Sequence, residues 1–249
     1  MNVSIASYSF HGLLAAGMID VFGYMESCKY RYHLQSADIW NGMLVSTDED
    51  YLKKVKKGLD GRELVLANLC VDGAHIWEDD PAAREKNYLN ALANLKAGEF
   101  LGAKTIRIDA GGSGASFTEE QFDLIVMRFK EYAQRAWDNG YKVGPENHWG
   151  PEVVPENMKR IVEAVDHPAF GVLLHFRVNA GDAVMAPWAM HTHFSWEAVH
   201  NNLEKSMSLL RDSGYKGFYS AEHHSAKNEY ENSAIQLACI QKVINEWQE

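Results

Sequence analysis

The feature that most constrains the fold is a repeated alternation of short, β-rich apolar runs with segments of helical periodicity. Such alternation predicts an α/β fold with a parallel sheet, because a helix must return the chain between parallel strands. Eight units in 249 residues favour a closed (β/α)8 barrel over an open sheet. The β-rich runs lie at residues 3–10, 37–41, 64–71, 104–110, 142–147, 171–176, 189–194 and 217–222.

Capping residues mark where several of the intervening helices are expected to begin and end. Ser46 or Thr47 is expected to cap the first long helix, because either side chain can accept hydrogen bonds from free backbone amides. Thr118 and Gln121 form a capping-box pair, and Gly140 is placed to end the helix that follows. These signals place helices between the strands, as a barrel requires.

The main alternative fold is a doubly wound open sheet, whose first strand usually leads into a GxGxxG phosphate-binding turn. Here the first β-rich run continues as Ser7-Tyr8-Ser9-Phe10-His11-Gly12, which lacks that pattern. No Pro-, Gly- or Ser-rich linker divides the chain. We therefore expect residues 1–249 to form a single TIM-barrel domain.

Composition argues against several classes of partner. The net charge is −10 and no Lys/Arg-rich run is present, so we expect no nucleic acid. Three cysteines without a CxxC pair predict no disulfide framework, which suits a cytoplasmic location. We recognise no signal peptide and no apolar run near the ~18 residues of a membrane span, so no membrane contact is expected. The expected partner is a small-molecule substrate, and homo-oligomerisation is left open.

Ligand-type side chains stand at the predicted carboxyl ends of the last four strands. They are Glu146, His175, His193 and Glu222. Adjacent barrel strands lie ~4.8 Å apart, so side chains from neighbouring strand ends can share one cation. Mixed carboxylate and imidazole donors suit Mn²⁺, Co²⁺, Fe²⁺ or Zn²⁺ better than Ca²⁺. We predict one divalent metal ion here, Mn²⁺ first, with Co²⁺, Mg²⁺, Fe²⁺ and Zn²⁺ as alternatives.

The seventh strand offers two histidines as ligands. His191 and His193 point to the same face, because side chains alternate along a strand. His193 is preferred because it lies closer to the carboxyl end, which leaves His191 deeper as a structural or supporting residue. The sequence does not decide between them.

Three segments carry a resemblance to a known family: residues 142–148 (KVGPENH), 191–194 (HTHF) and 217–222 (GFYSAE). Through them the chain resembles the xylose-isomerase-like TIM-barrel superfamily, the sugar phosphate isomerase/epimerase group, over essentially its whole length. The resemblance implies that Glu146 is both a metal ligand and an acid/base, that His193 is a ligand, and that Glu222 is the opposing acid/base.

His175 departs from that family pattern. It occupies the strand-six position where epimerases often have Asp in an Asp-x-x-His motif, and the stretch here reads His175-Phe176-Arg177-Val178. The resemblance therefore implies that a substrate-contacting histidine is missing or supplied from elsewhere. The segment between His175 and His193 is also short for an intact helix.

The chemistry that fits these residues is removal of a carbon-bound proton next to a carbonyl. A divalent cation stabilises the resulting enediolate, and a carboxylate on each face takes and returns the proton. We predict a metal-dependent isomerase or epimerase of a keto-sugar or related small carbohydrate, with Glu146 and Glu222 as catalytic residues. The alternative is a lyase or deglycosidase that cleaves a 3-keto-glycoside by elimination with the same metal and glutamates. An endonuclease IV-type nuclease, which the acidic charge disfavours, and a non-catalytic sugar-binding role are further alternatives.

Six other side chains are candidates for substrate contact, because they lie at or near the loops at the catalytic end of the predicted barrel. They are Asn147, His148, Arg107, Trp149, Trp40 and His75. Aromatic rings suit the C–H faces of sugars, and the polar groups suit hydroxyls. For each of them a structural role is open as well; Arg107, for example, can form an ion pair with Asp109.

Overall fold

The computed structural model describes residues 2–176 and 181–247. Within them the chain forms eight parallel strands separated by helices. The strands are β1 (Asn2–Ile5), β2 (Ser36–Trp40), β3 (Val65–Val71), β4 (Thr105–Ile108), β5 (Lys142–Gly144), β6 (Val172–Phe176), β7 (Ala189–Phe194) and β8 (Phe218–Ala221).

The strands close into a cylinder. One continuous run has the order β2-β3-β4-β5 and the other β6-β7-β8-β1, and all pairs are parallel. Isolated backbone bridges join the two runs at both seams: Ala6 with Asp38 on one side, and Val143 with Phe170 and Glu146 with Leu173 on the other. The predicted (β/α)8 barrel is confirmed.

Helices of unequal length surround the strands. They are α1 (His11–Ala15), α2 (Val21–Glu26), α3 (Glu49–Gly61), α4 (Pro81–Leu101), α5 (Glu119–Asn139), α6 (Pro155–Val165), α7 (Asp182–Met185), α8 (Trp196–Asn201), α9 (Leu203–Asp212) and α10 (Glu229–Glu246). In the part of the chain that the structure describes, no helix is long and apolar enough to cross a membrane.

The capping signals are confirmed at one helix and wrong at another. At α5, Thr118 and Gln121 form the complete capping box, and Gly140 ends the helix in the left-handed conformation. Neither Ser46 nor Thr47 caps α3, which begins after Asp48. The hydroxyl of Ser46 instead accepts a hydrogen bond from the backbone N–H of Asp48 at 2.9 Å, so it stabilises the turn before the helix.

The first strand is shorter than predicted, and this affects the cavity. The regular strand ends at Ile5, and after the bridge at Ala6 the chain leaves the sheet and forms a 3₁₀ turn over Ser7–Phe10. Two serines hold this turn: Ser7 accepts a hydrogen bond from the backbone N–H of Trp40 at 2.8 Å, and Ser9 accepts one from that of His223 at 2.9 Å. The turn therefore lies across the carboxyl end of the barrel.

The connection between β6 and β7 contains only short helical pieces among its described residues. These are α7 and a 3₁₀ turn, Ala186–Trp188, in line with the short spacing noted in the sequence. Arg177 and Val178, part of the stretch that departs from the family pattern, lie outside the described residues.

Candidate metal centre and active site

Four strand ends deliver two carboxylates and two imidazoles to one point. Glu146 follows β5, His175 lies in β6, His193 lies in β7 and Glu222 follows β8. All four are buried, and one potential ligand atom from each lies within 4.8 Å of the others. The structure thus brings together the four residues that the sequence proposed as metal ligands.

The atoms that face the centre of this cluster fit a cation. Nδ1 of His193 lies 3.4 Å from Oε1 of Glu146 and 3.5 Å from Oε2 of Glu222, and Nε2 of His175 lies 3.4 Å from the same Glu222 oxygen. Among the described residues, neither of these ring nitrogens has a hydrogen-bond partner. Buried nitrogens without a partner are costly, and a shared divalent ion would satisfy both. The cluster could therefore bind a metal.

The structure separates the two histidines of β7. His193 faces the cluster through Nδ1, whereas His191 lies deeper and is fully buried. Nε2 of His191 and Nε2 of His193 lie 2.7 Å and 3.0 Å from the same oxygen of Asp38. This arrangement agrees with the preference for His193, and it places His191 behind it.

The second oxygen of Glu146 is held by basic side chains. Its Oε2 lies 2.8 Å from Nδ1 of His148 and 3.2 Å from Nε of Arg107. Burial alone would raise the pKa of Glu146, but His148, followed by His175 and His193, outweighs it and holds the pKa well below its usual range. Glu146 is therefore a carboxylate at neutral pH.

Glu222 is a carboxylate for the same reason. Burial opposes its ionisation, yet His193, His175 and His224 lower its pKa to about 2. Nε2 of His224 lies 3.1 Å from Oε2 of Glu222. The glutamate is thus in its proton-accepting form.

The two imidazoles of the cluster differ in charge. The pKa of His175 is lowered, because its burial outweighs the attraction of the nearby glutamates. The pKa of His193 is raised well above its usual value, because Glu222 and Asp38 outweigh burial there. The surroundings therefore favour a neutral His175 and a protonated His193.

A cavity of about 200 Å³ lies above the cluster. Tyr8, from the turn after β1, packs edge to face on Trp40 with the ring centroids 5.2 Å apart. The indole N–H of Trp40 donates a 2.7 Å hydrogen bond to Oδ2 of Asp72, whose other oxygen accepts one from Arg107 at 2.9 Å. One wall of the cavity is thus aromatic, and the groups beside it are charged.

Three of the six predicted substrate-contacting residues line this cavity: Trp40, Arg107 and His148. Arg107 is also the ion-pair partner of Asp109, at 2.8 Å, so both interpretations of this arginine fit the geometry. Its charge is already met by Asp72, Asp109 and Glu146.

The structure places the other three outside the cavity lining. The side-chain amide of Asn147 pairs with the backbone of His175, accepting from its N–H at 2.6 Å. Trp149 donates its indole N–H to Asp109 at 3.4 Å, and its ring packs on His75 at 4.5 Å between centroids. His75 also lies 3.0 Å from Glu78. These contacts stabilise the loops that carry Glu146 and Asp109.

Several residues that line the cavity were not predicted to be site residues. They are Tyr8, Asp38, Cys70 and His224. Two of them, Asp38 and His224, could have been predicted from the sequence. A carboxylate in the middle of the apolar run Ser36–Trp40 must lie in the core, and a histidine two positions after Glu222 is close enough to contact it.

The chain matches a known protein family over more than half of its length. A family model described as xylose isomerase-like TIM barrel matches residues 32–177, which include Asp38, Glu146 and His175. None of the curated proteins matches the chain.

Solved structures resemble the chain at low sequence identity. The probable 3-DHS dehydratase AsbF from Bacillus anthracis is 16% identical, with a TM-score of 0.75 over 97% of this chain and 99% of that one. The 3-keto-D-glucoside 4-epimerase YcjR from E. coli is 14% identical, with a TM-score of 0.73 over 90% and 94%. The IolI protein, solved with a zinc atom, is 14% identical, with a TM-score of 0.75 over 99% and 97%. At these identities the likeness shows the fold.

Proposed function

The chain belongs to the xylose isomerase-like TIM-barrel family, and on this premise we propose that it is a divalent-metal-dependent isomerase or epimerase of a keto-sugar or related small carbohydrate. The observation that carries the proposal is the buried cluster of Glu146, His175, His193 and Glu222, with ligand atoms within 4.8 Å of one another. A sugar-processing role is in keeping with the dehydratase and epimerase among the similar structures.

These four residues would hold the metal, with Mn²⁺ the first candidate and Co²⁺, Mg²⁺, Fe²⁺ and Zn²⁺ as alternatives. When bound, such a cation polarises a carbonyl and lowers the energy of the negative charge that develops on the substrate oxygens. Asp38 contacts Nε2 of His193, on the side of the ring that faces away from the cluster. His148 contacts the second oxygen of Glu146.

Glu222 and Glu146 would move the proton. Both are ionised at neutral pH, so either carboxylate can accept a proton from a carbon next to a carbonyl, and the other can return it. Each is flanked by a histidine, His224 for Glu222 and His148 for Glu146, which fixes the orientation of the carboxylate. Removal of the proton from one face of a carbon and its return to the opposite face of the same carbon gives an epimer. Return of the proton to the neighbouring carbon gives an isomer.

The aromatic wall would orient the sugar. Tyr8 and Trp40 present ring faces and edges to the cavity, and such surfaces pack well on the C–H groups of a pyranose or an open-chain sugar. Asp72 and Arg107 lie beside this wall and offer hydrogen-bond partners to hydroxyls.

A specific observation favours elimination as the second candidate reaction. The pKa of His148 is raised, because Glu146 and Asp109 outweigh its burial, so the imidazole holds a proton more readily than an ordinary histidine. A protonated group beside one glutamate can donate that proton to a leaving oxygen while the other glutamate removes a proton from carbon. This pairing suits a lyase or deglycosidase acting on a 3-keto-glycoside.

Hydrogen exchange in D₂O tests the proposal without knowledge of the exact substrate. Purified protein with added Mn²⁺ is incubated with free ketoses, ketose phosphates and 3-keto-glycosides, and proton NMR follows the C–H signals next to the carbonyl. We expect metal-dependent deuterium incorporation together with epimer, isomer or released aglycone. EDTA-treated protein is the control. Lack of exchange across the panel, in protein that holds the metal, would contradict the proposal.

A further inference from the structure

Asp38 lies at the centre of β2, with its side chain fully shielded from solvent. Its Oδ2 atom lies 2.7 Å from Nε2 of His191 and 3.0 Å from Nε2 of His193, and it accepts a 2.7 Å hydrogen bond from the hydroxyl of Ser220. Its Oδ1 atom accepts from the amide of Asn68 at 3.1 Å. Both oxygens are therefore occupied, and the carboxylate has one fixed orientation.

This orientation determines which nitrogen of His193 is free. A carboxylate only accepts hydrogen bonds, so the Nε2 atom that faces Asp38 must carry a hydrogen. In the neutral ring the single hydrogen therefore lies on Nε2, and the Nδ1 lone pair points between Glu146 and Glu222. The opposite tautomer would lose the contact with Asp38 and aim an N–H at the cluster.

We propose that Asp38 is a positioning residue, which holds the His193 ring in the Nε2–H tautomer and thereby directs its Nδ1 lone pair to the metal. The inference rests on the metal site of the proposed function. A carboxylate that hydrogen-bonds to the second nitrogen of a metal-ligating histidine raises the basicity of that histidine and fixes the orientation of its ring.

The same three side chains could instead form a cation site of their own. Donor atoms of Asp38, His191 and His193 also lie within 4.8 Å of one another. However, both Nε2 atoms already donate to a single oxygen, and Ser220 donates to that oxygen too. A cation there would have to displace these hydrogen bonds inside the barrel core, so the geometry favours support of His193 over a second site.

Titration with Co²⁺ tests the role of Asp38. Metal-free wild type, Asp38→Asn and Glu229→Gln are titrated by calorimetry, and the visible absorption of bound Co²⁺ is recorded. Glu229 is the matched control, because it is another buried carboxylate, bonded to the backbone amides of Gly12 and Leu13 at 2.7 Å and 2.9 Å. We expect Asp38→Asn to raise the Co²⁺ dissociation constant by about 10- to 100-fold and to alter the absorption spectrum, with the control unchanged.

The titration distinguishes failure of the positioning role of Asp38 from failure of the proposed metal site. If Asp38→Asn keeps a dissociation constant within a factor of about five of wild type, the positioning role is wrong although the metal site stands. If wild type binds no Co²⁺, the metal site itself is wrong, and both proposals fall. Two Co²⁺ ions per wild-type chain, with one lost in Asp38→Asn, would assign Asp38 to a site of its own.

A second measurement covers the case in which Asp38→Asn does not fold. Zinc-loaded wild type labelled with ¹⁵N-histidine is studied by NMR, and the His193 signals are assigned by comparison with His193→Gln. A hydrogen on Nε2 and none on Nδ1 supports the role of Asp38. A hydrogen on Nδ1 overturns it.

Discussion

The imidazole rings of His175 and His224 stack face to face, with centroids 5.2 Å apart and planes inclined by 10°. Both rings also contact the same carboxylate oxygen of Glu222, at 3.4 Å and 3.1 Å. His175 is buried, whereas the side chain of His224 is 38% exposed, so His224 covers the proposed metal cluster on its solvent side.

Removal of this cover should speed the loss of metal. We expect His224→Ala to release Mn²⁺ to excess EDTA about tenfold faster than wild type, because such neighbours of metal ligands contribute ~10- to 100-fold in affinity. His200→Ala is the control, since His200 is an exposed histidine on α8 that contacts Trp196. Equal release rates in wild type and His224→Ala would show that the stacked ring does not retain the metal.

Metal binding should release protons. The pKa of His193 is raised well above its ordinary value by Glu222 and Asp38, so the metal-free ring carries an extra proton at neutral pH that a ligand must lose. We expect about one proton released per metal at pH 7, and an apparent affinity that falls as the pH is lowered. Calorimetry in two buffers of different ionisation enthalpy measures the proton number; a value near zero would mean that His193 is not a ligand.

Substitution of the proposed acid/base should stop catalysis without unfolding the protein. We expect Glu222→Gln to lower kcat by at least ~100-fold on the substrate found by the exchange screen, because a positioned acid/base contributes that much. Glu229→Gln should retain activity, because Glu229 binds backbone amides outside the cavity lining. Circular dichroism verifies the fold. Turnover within tenfold of wild type would remove Glu222 from the mechanism.

The buried Glu152 should make stability depend on pH. Burial, followed by repulsion from Asp109, raises its pKa well above the usual value, and Oε1 accepts the N–H of Ala110 at 2.7 Å. The folded state therefore keeps the proton that the unfolded chain loses above pH ~4.5. The contribution of Glu152 to the free energy of unfolding is therefore fully present below that pH. It declines as the pH rises toward the pKa of Glu152 in the folded state.

Glu152→Gln should remove this dependence, because glutamine can accept the same hydrogen bond and does not ionise. We expect the variant to match wild type near pH ~4 and to melt at a higher temperature near pH ~8, by a few degrees. Thermal melting across this range provides the measurement. A parallel pH dependence in both proteins would show that Glu152 titrates normally.

Much of the scaffold could be predicted from sequence because it depends on local signals. The run at residues 189–194 coincides with β7, Ala189–Phe194, and the capping box at Thr118 marks the start of α5. Both follow from patterns within a few residues. The strand ends that carry Glu146, His175, His193 and Glu222 followed from the barrel geometry, since successive strands deliver their carboxyl ends to one face.

Features set by distant parts of the chain were not predicted. The turn that moves Tyr8 over the cavity depends on contacts of Ser7 and Ser9 with the backbone of Trp40 and His223. Asn147 faces away from the cavity because it pairs with the backbone of His175. Neither contact leaves a trace in neighbouring residues, so neither could be inferred from a local pattern.

The contact between Asp38 and His193 joins the second strand to the seventh, across the interior of the cylinder. A refolding chain therefore cannot form the full ligand set until the last quarter of the sequence, which holds β7 and β8, has folded and the barrel has closed. The proposed ligand set is therefore complete only in the closed barrel. We therefore expect metal binding during refolding to coincide with closure of the barrel, so that the bound ion reports this last folding step.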